Sequence, residues 1–244
     1  LKTSNACPLS TPNLYESVAL HRATGPTIRP GGLSLLEYAL TLYPFGIGSR
    51  VLDVGCGMGA TVAHLRQHHR LSAAGLDLSQ KLLAASPEHA PGLPLMRARA
   101  ETLPVMDHRL DGLICECVLS LVSDPLETLS EFFRVLVPGG ILILSDIYRR
   151  NPRHASGDMD VDCCLSGAAT RGELHDWLGG AGFSISLWED HSQLLAELAA
   201  KLVFMYGSMA AFWTQFAKTG DGHKLEELTR DMRPGYYLIV ARKG

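Results

Sequence analysis

The sequence predicts an α/β protein: a right-handed, doubly wound sheet with helices on both faces. Three observations carry this reading. Between Ser49 and Phe183, short apolar runs alternate with amphipathic stretches at the spacing of strand–helix–strand units. The runs RVLDVG (50–55) and GILILSD (140–146) are almost continuous in Val, Ile and Leu, as strands covered on both faces are. Helix start signals fall between such runs, at Asp124-Pro125-x-Glu127 and at Thr170-x-x-Glu173.

In chain order, the first 48 residues read as a helical prologue: NLYESVALHRAT, a Pro/Gly-rich turn at TIRPGG, then LSLLEYALTLY. Strands are expected at 50–55, 71–77, 93–98, 110–115, 140–146, 184–190 (SISLWED) and 235–243 (GYYLIVARK). The helix LETLSEFFRVL is expected to stop at Pro138-Gly139-Gly140, and GELHDWLGGAGF to end in its glycines. Before the last strand lies HSQLLAELAAKLVFMYGSMAAFWTQFAK, a mostly helical insertion whose Met and aromatic residues read as its core face, followed by a polar, charged segment. Residues 1–244 are expected to form one domain: prologue 1–48, core 49–190, helical insertion 191–232 and final strand 233–244.

A hydrophobic content of 46% with 19% charged residues is ordinary for a soluble globular protein. The net charge of −3 offers no footprint for nucleic acid or an anionic membrane. The basic knot YRRNPRH (148–154) is short and reads as a solvated loop. No run approaches the ~18 apolar residues of a membrane span, and LKTSNACPLS lacks the basic-then-apolar pattern of a secretory signal. Six cysteines, at 7, 56, 115, 117, 163 and 164, contain no C-x-x-C and suit free thiols in a reducing cytoplasm.

The stretch that carries chemistry is VLDVGCGMGATV, Val51–Val62. A buried strand ends in Asp53, Gly55-Cys56-Gly57-x-Gly59 follow, and then a helix begins. Glycines there let backbone approach a ligand closely. About twenty residues on, Asp77 ends the next strand, where a carboxylate can grip both hydroxyls of a ribose. A dinucleotide site wants G-x-G-x-x-G, whose last position is here Ala60. The observed D-x-G-x-G-x-G resembles the first motif of class I S-adenosylmethionine-dependent methyltransferases. Their ligand has no phosphate but an ammonium and a sulfonium, which suits an acid beside the loop.

The resemblance covers roughly residues 45–190 and implies a Rossmann-like seven-stranded sheet with S-adenosyl-L-methionine as cofactor and no metal. It implies that Asp77 binds the ribose with Leu78 beside the adenine, that Ala100-Glu101 reach the adenine edge, and that Cys115 and Glu116 lie against the methionine moiety. The expected reaction is in-line methyl transfer to a small acceptor, with S-adenosyl-L-homocysteine as product and no obligatory catalytic side chain in the sequence. A nicotinamide-dependent oxidoreductase and a non-catalytic cofactor-binding module are the alternatives.

The stretch DCCLSGA (162–168) bears on the acceptor. With CVLSLVSD and RVLVPGGILILSDIY it is similar to the arsenite methyltransferase branch, which implies metalloid-binding thiols at Cys117 and Cys164. That branch has further cysteines just after the glycine loop and near the C-terminus; here ATVAHL follows the loop, and no cysteine follows Cys164. Neighbouring Cys163 and Cys164 diverge, so a trigonal thiolate site needs Cys117 or Cys7 as well. Packing is the competing reading for Cys56, Cys115 and Cys117. Tyr15, His21 and Arg22 in the prologue, and Met205, Tyr206, Phe212 and Trp213 in the insertion, are candidate lid residues over the acceptor. His64 and His68, one helical turn apart, have a spacing that could bind metal, but with no nearby acid partner in a strand they read as a solvated helix face. Asp146 at the end of its strand is read as not binding metal, since no Asp-Asn follows it.

Overall fold

A computed structural model describes residues 13–89, 92–153 and 159–244; Cys7, and His154 of the basic knot, lie outside them. The strands are β1 (Arg50–Val54), β2 (Ser72–Asp77), β3 (Leu95–Arg97), β4 (Leu110–Glu116), β5 (Leu136–Arg149), β6 (Phe183–Asp190) and β7 (Pro234–Lys243). They form one sheet in the order β3-β2-β1-β4-β5-β7-β6. The first five run parallel, and β7 is antiparallel to both β5 and β6. The order reverses between β1 and β4, so their carboxyl ends diverge into a crevice, the place where open α/β sheets bind ligands.

Helices α1 (Val18–Thr24) and α2 (Ser34–Leu42) precede the sheet; α3 (Ala60–His68), α4 (Gln80–His89), α5 (Pro125–Val135) and α6 (Arg171–Gly180) connect its strands. The expected caps form: the Asp124 carboxylate accepts from Glu127 N–H at 2.9 Å, and Thr170 and Glu173 make a reciprocal capping box. A 3-10 turn at Leu119–Leu121 links β4 to α5.

The period of two along each strand sorts side chains between two cores. Val51, Ile114, Ile143, Tyr236 and Leu238 face the core covered by α1–α3 and the helices before β7. Leu52, Leu113, Cys115, Leu144 and Tyr237 face the core beneath α5 and α6. By the same alternation Asp53, Glu116 and Ser145 project to the first face, and Cys115 and Asp146 to the second. This ordering of faces decides which polar groups meet.

Three expectations change. Helix α5 stops at Val135 and β5 starts at once, with Leu136 paired to Leu110. Pro138-Gly139-Gly140 therefore lies inside β5, at the register shift before Gly112 pairs with Ile141. The insertion is broken at Gly207-Ser208 into α7 (Ser192–Tyr206) and α8 (Met209–Thr214), and its polar, charged end forms a third helix, α9 (Gly222–Met232). Its apolar residues do not share one core face: Phe212, Trp213 and Phe216 are buried, whereas Phe204 is 92% exposed.

Helix α9 sits hard against α8. A Cβ on Gly222 would stand 2.0 Å from the Ala210 carbonyl oxygen and 2.3 Å from Thr214 Oγ1, whereas one on Gly179 in α6 meets nothing within 4 Å. Gly222→Ala is expected to cost about 1–3 kcal/mol through overpacking, and Gly179→Ala to gain about 0.5–1 kcal/mol of helix propensity. Urea denaturation midpoints of the two variants measure the contrast.

Candidate active site

The carboxyl ends of β1, β2 and β4 open into a cavity of about 480 Å³. Its floor is the turn from β1 to α3. The Gly55 and Cys56 N–H groups both donate to Leu76 O, at 2.8 and 2.9 Å, which folds the turn back over the end of β2. Gly55 has φ +76°, and a Cβ there would lie 2.0 Å from Val118 Cγ2. Any other residue would therefore be both strained and in collision. Gly57 N–H donates to Asp77 Oδ2 at 2.8 Å, and Ser79 N–H to Oδ1 at 2.7 Å. Asp77 thus closes the turn while each carboxylate oxygen keeps a further lone pair for a ligand.

Charge is concentrated behind this floor. Glu116, at the end of β4, meets Arg29 from the prologue at 2.8 Å, both side chains being buried. The contact is ionic rather than a well-angled hydrogen bond, since Arg29 Nη2 and Glu116 Oε2 have no hydrogen-bond partner. Arg29 is otherwise fixed: Nη1 donates to Thr61 Oγ1 at 3.0 Å and Nε to Gly32 O at 2.9 Å. Asp53 lies alongside, 3% exposed. Burial pushes its carboxyl up to about 8; the Glu116 charge adds to this, Arg29 pulls back, and Asp77 raises it again. Burial also raises Glu116, against the pull of Arg29 and of the Ser145 hydroxyl. Asp53 lines the cavity without a counterion of its own, so this wall suits a ligand that brings a positive charge.

The opposite wall is apolar, with Leu78, Ala98 and Ala100 beside Leu121 and Val122. Glu101 closes its edge, accepting from Ser123 Oγ at 3.0 Å and from Arg99 at 3.1 Å.

Beyond Glu116 the chain turns sharply. Cys117 has φ +57°, its N–H donates to Ser145 O at 2.7 Å, and its Sγ lies 3.4 Å from the Tyr236 hydroxyl. Tyr15 lines the cavity nearby, and its hydroxyl accepts from Cys164 N–H at 2.8 Å. The 3-10 turn on which DCCLSGA packs is held by Asp146, whose carboxylate accepts from Ser120 N–H at 2.9 Å and Ser120 Oγ at 2.8 Å. Gly167 packs on Ser120, where a Cβ would stand 2.1 Å from Ser120 O. Burial raises the thiols of Cys117, Cys163 and Cys164, and the nearby Asp146 carboxylate adds to this for Cys117 and Cys164.

Of the residues singled out in the sequence, Asp53, Gly55, Cys56, Gly57, Asp77, Leu78, Ala100, Glu101, Glu116, Cys117 and Tyr15 line this one cavity. Five do not. Gly59 caps α3 and packs against Leu93 and Leu95. Cys115 is on the other face of β4, 1% exposed in the second core. Cys163 is buried in the first core and Cys164 packs behind Tyr15. Arg22 is exposed on α1, while His21 Nε2 sits 2.7 Å from the Tyr15 carbonyl and props that residue from behind. Phe212 and Trp213 are core rather than lid. Arg29 and Thr61 were invisible in the sequence: one sits in a turn, the other on a helix, and nothing local marks the first for an ion pair or the second as its hydrogen-bond acceptor.

Residues 52–144 match the family described as "Methyltransferase domain". The chain is 26% identical over 202 residues to phosphoethanolamine N-methyltransferase 3 of Arabidopsis thaliana, covering 78% of this chain and 40% of that one. It is 28% identical over 149 residues to an arsenite methyltransferase of Halobacterium salinarum, covering 56% and 37%. It thus spans less than half the length of either relative. Among solved structures, phosphoethanolamine N-methyltransferase 2 of Haemonchus contortus with S-adenosyl-L-methionine superposes with a TM-score of 0.72 at 18% identity, over 92% of this chain and 56% of that one. The [4+2]-cyclase SpnF superposes with a TM-score of 0.67 at 25% identity, over 86% and 79%. The sheet order, the glycine turn and the domain match over residues 52–144 all resemble class I S-adenosylmethionine-dependent methyltransferases, whose fold this chain has.

Proposed function

We propose that the chain transfers a methyl group from S-adenosylmethionine to a small-molecule acceptor by in-line displacement. The observation that carries this reading is Asp53, a buried carboxylate that lines the cavity and lacks a counterion of its own. An ammonium group there supplies the missing charge, and the methionine end of the cofactor carries one. Asp77 is the residue for the ribose hydroxyls, Leu78 and Ala100 for the faces of the adenine, and Glu101 for its edge. When bound, the cofactor supplies an electrophilic methyl on sulfur. The chain's own contribution is to orient the two reactants, exclude water and hold the acceptor between Tyr15, Cys117 and Leu121. A side-chain base is needed only for an acceptor that must lose a proton.

A second reading has one observation in its favour: Cys117, Cys163 and Cys164 gather behind Tyr15, close enough for Cys117 and Cys163 each to raise the Cys164 thiol. Soft thiolates suit a metalloid such as arsenite. Against it, all three thiols are held protonated by burial, so a metalloid must first displace those protons. The acceptor reading therefore ranks first. Among the described residues no helix is long and apolar enough to cross a membrane.

Calorimetry with S-adenosylhomocysteine tests the cofactor assignment. Binding is expected to tighten as pH rises from 6 toward 8, by up to about tenfold per unit, because the cation binds the ionised form of a carboxyl that titrates near 8. Asp53→Asn is expected to weaken binding and to flatten this dependence; equal affinity in the variant at pH 8 would reject the assignment. The same group predicts a stability difference of known sign. An acid whose carboxyl is raised in the folded state costs stability as pH rises from its unfolded value toward 8. Asp53→Asn should therefore gain on the wild type in urea between pH 5 and pH 8.5.

For the thiols, arsenite titration is expected to leave the free-thiol count unchanged, and Cys164→Ser to keep its S-adenosylhomocysteine affinity. Arsenite-dependent methylated product that disappears in Cys164→Ser would establish the metalloid reading instead.

A further inference from the structure

A second cluster of ligating side chains lies toward the other end of α3. Its first turn, Ala60 and Thr61, lines the cavity; its middle carries His64, its last turn His68, and His69 follows it. In the sequence, His64 and His68 read as a solvated helix face. In the structure His68 stacks on His64, ring centroids 4.5 Å apart, while His64 and His69 share an acid. The acid absent from the local sequence arrives from α2: Glu37 Oε1 lies 2.6 Å from His69 Nε2 and also contacts His64 Nε2.

We propose that Glu37, His64 and His69 form a binding site for a divalent transition-metal ion, with Zn²⁺ the best suited, that clamps α2 onto α3. One ligand atom from each residue lies within 4.8 Å of the other two. The donor set is two imidazoles and one carboxylate, a standard three-ligand zinc set that leaves a fourth position to water. Hydrogen bonding alone requires both imidazoles to adopt the same Nε2–H tautomer and to share one carboxylate oxygen. A divalent cation satisfies both ring lone pairs and the carboxylate charge at once. Bonds of about 2.0–2.1 Å in a tetrahedron place ligand atoms roughly 3.3 Å apart. The Glu37 oxygen is closer than that to both nitrogens, and the 41% exposure of its side chain gives it room to rotate outward. The side chains of His64 and His69 are 16% and 29% exposed, so the site is reachable from solvent on one side while packed on the other.

None of the three residues lines the 480 Å³ cavity, which separates this site from the cofactor proposal. Its effect is mechanical. The two elements it joins are the prologue helix that follows the Arg29 turn and the helix that carries Thr61, and Arg29 and Thr61 are themselves hydrogen-bonded.

The test uses the full chain, stripped with chelator and dialysed against Zn²⁺, with metal analysis, Co²⁺ absorption and thermal melting as readouts. The expected result is about one bound equivalent, an intense tetrahedral Co²⁺ spectrum, and a Tm raised by about 5 °C or more at a hundredfold excess over Kd. His64→Ala/His69→Ala is expected to abolish all three, and His68→Ala to retain them. Glu37→Gln keeps a hydrogen-bond acceptor and provides the variant that should fold in any case; its Zn²⁺ affinity is expected to fall at least tenfold. Equal Zn²⁺ binding by the wild type and Glu37→Gln, or no stoichiometric binding by the wild type, overturns the proposal.

Discussion

Everything at the site depends on two buried carboxylates and a half-buried third beside one guanidinium. Asp53, Asp77 and Glu116 converge because the strands that carry them are neighbours, and because the period of two puts Asp53 and Glu116 on one face. Taking such charges out of water is expensive, and a single Arg29 offsets only part of that cost. The fold manages the excess differently at each acid. Asp77 is satisfied by backbone N–H groups of the turn it closes. Glu116 takes the ion pair and the Ser145 hydroxyl. Asp53 receives neither, and its carboxyl rises to about 8. Of the three acids, Asp53 is thus the one whose ionised form a cation in the cavity would stabilise.

How much of this was legible in the sequence follows from the range of each signal. Strand positions were readable because burial on both faces leaves a local trace in Val, Ile and Leu. The glycine turn and Asp77 were readable because their roles are played within twenty residues. Cys115 illustrates the limit. It stands next to Glu116 in sequence, yet adjacent strand residues point to opposite faces, so only one of the two reaches the cavity. Arg29 and Glu37 were unreadable for a different reason: their partners are 87 and 27–32 residues away, and no local pattern encodes such pairings. Pro138-Gly139-Gly140 misled because a breaker triplet also serves as a bulge within a long strand.

The DCCLSGA turn shows how an eye-catching sequence feature can act through its neighbours. Its glycine, rather than its cysteines, makes the closest approach, against Ser120. Asp146 fixes Ser120, and Cys117 rests on the carbonyl of the adjacent Ser145. One end of β5 therefore positions the 3-10 turn, the DCCLSGA turn and the strained residue after β4 together. The thiols reach the cavity only by way of Tyr15 and Cys117, and burial keeps them neutral.

The sheet by itself does not select the reaction, since a [4+2]-cyclase superposes on the same fold. Selection has to come from what the prologue adds. Tyr15, Ile28 and Arg29 all come from the first thirty residues and all line the cavity, whereas the strands supply only its floor and its acids. Ile28 adopts φ +53°, a strained choice for a β-branched side chain, and places its Cδ1 3.6 Å from where a Cβ on Gly57 would be. The prologue is therefore pressed onto the glycine turn rather than merely covering it. Whatever holds α1 and α2 against α3 also sets the shape of the cavity, so acceptor choice and prologue docking are one problem in this chain.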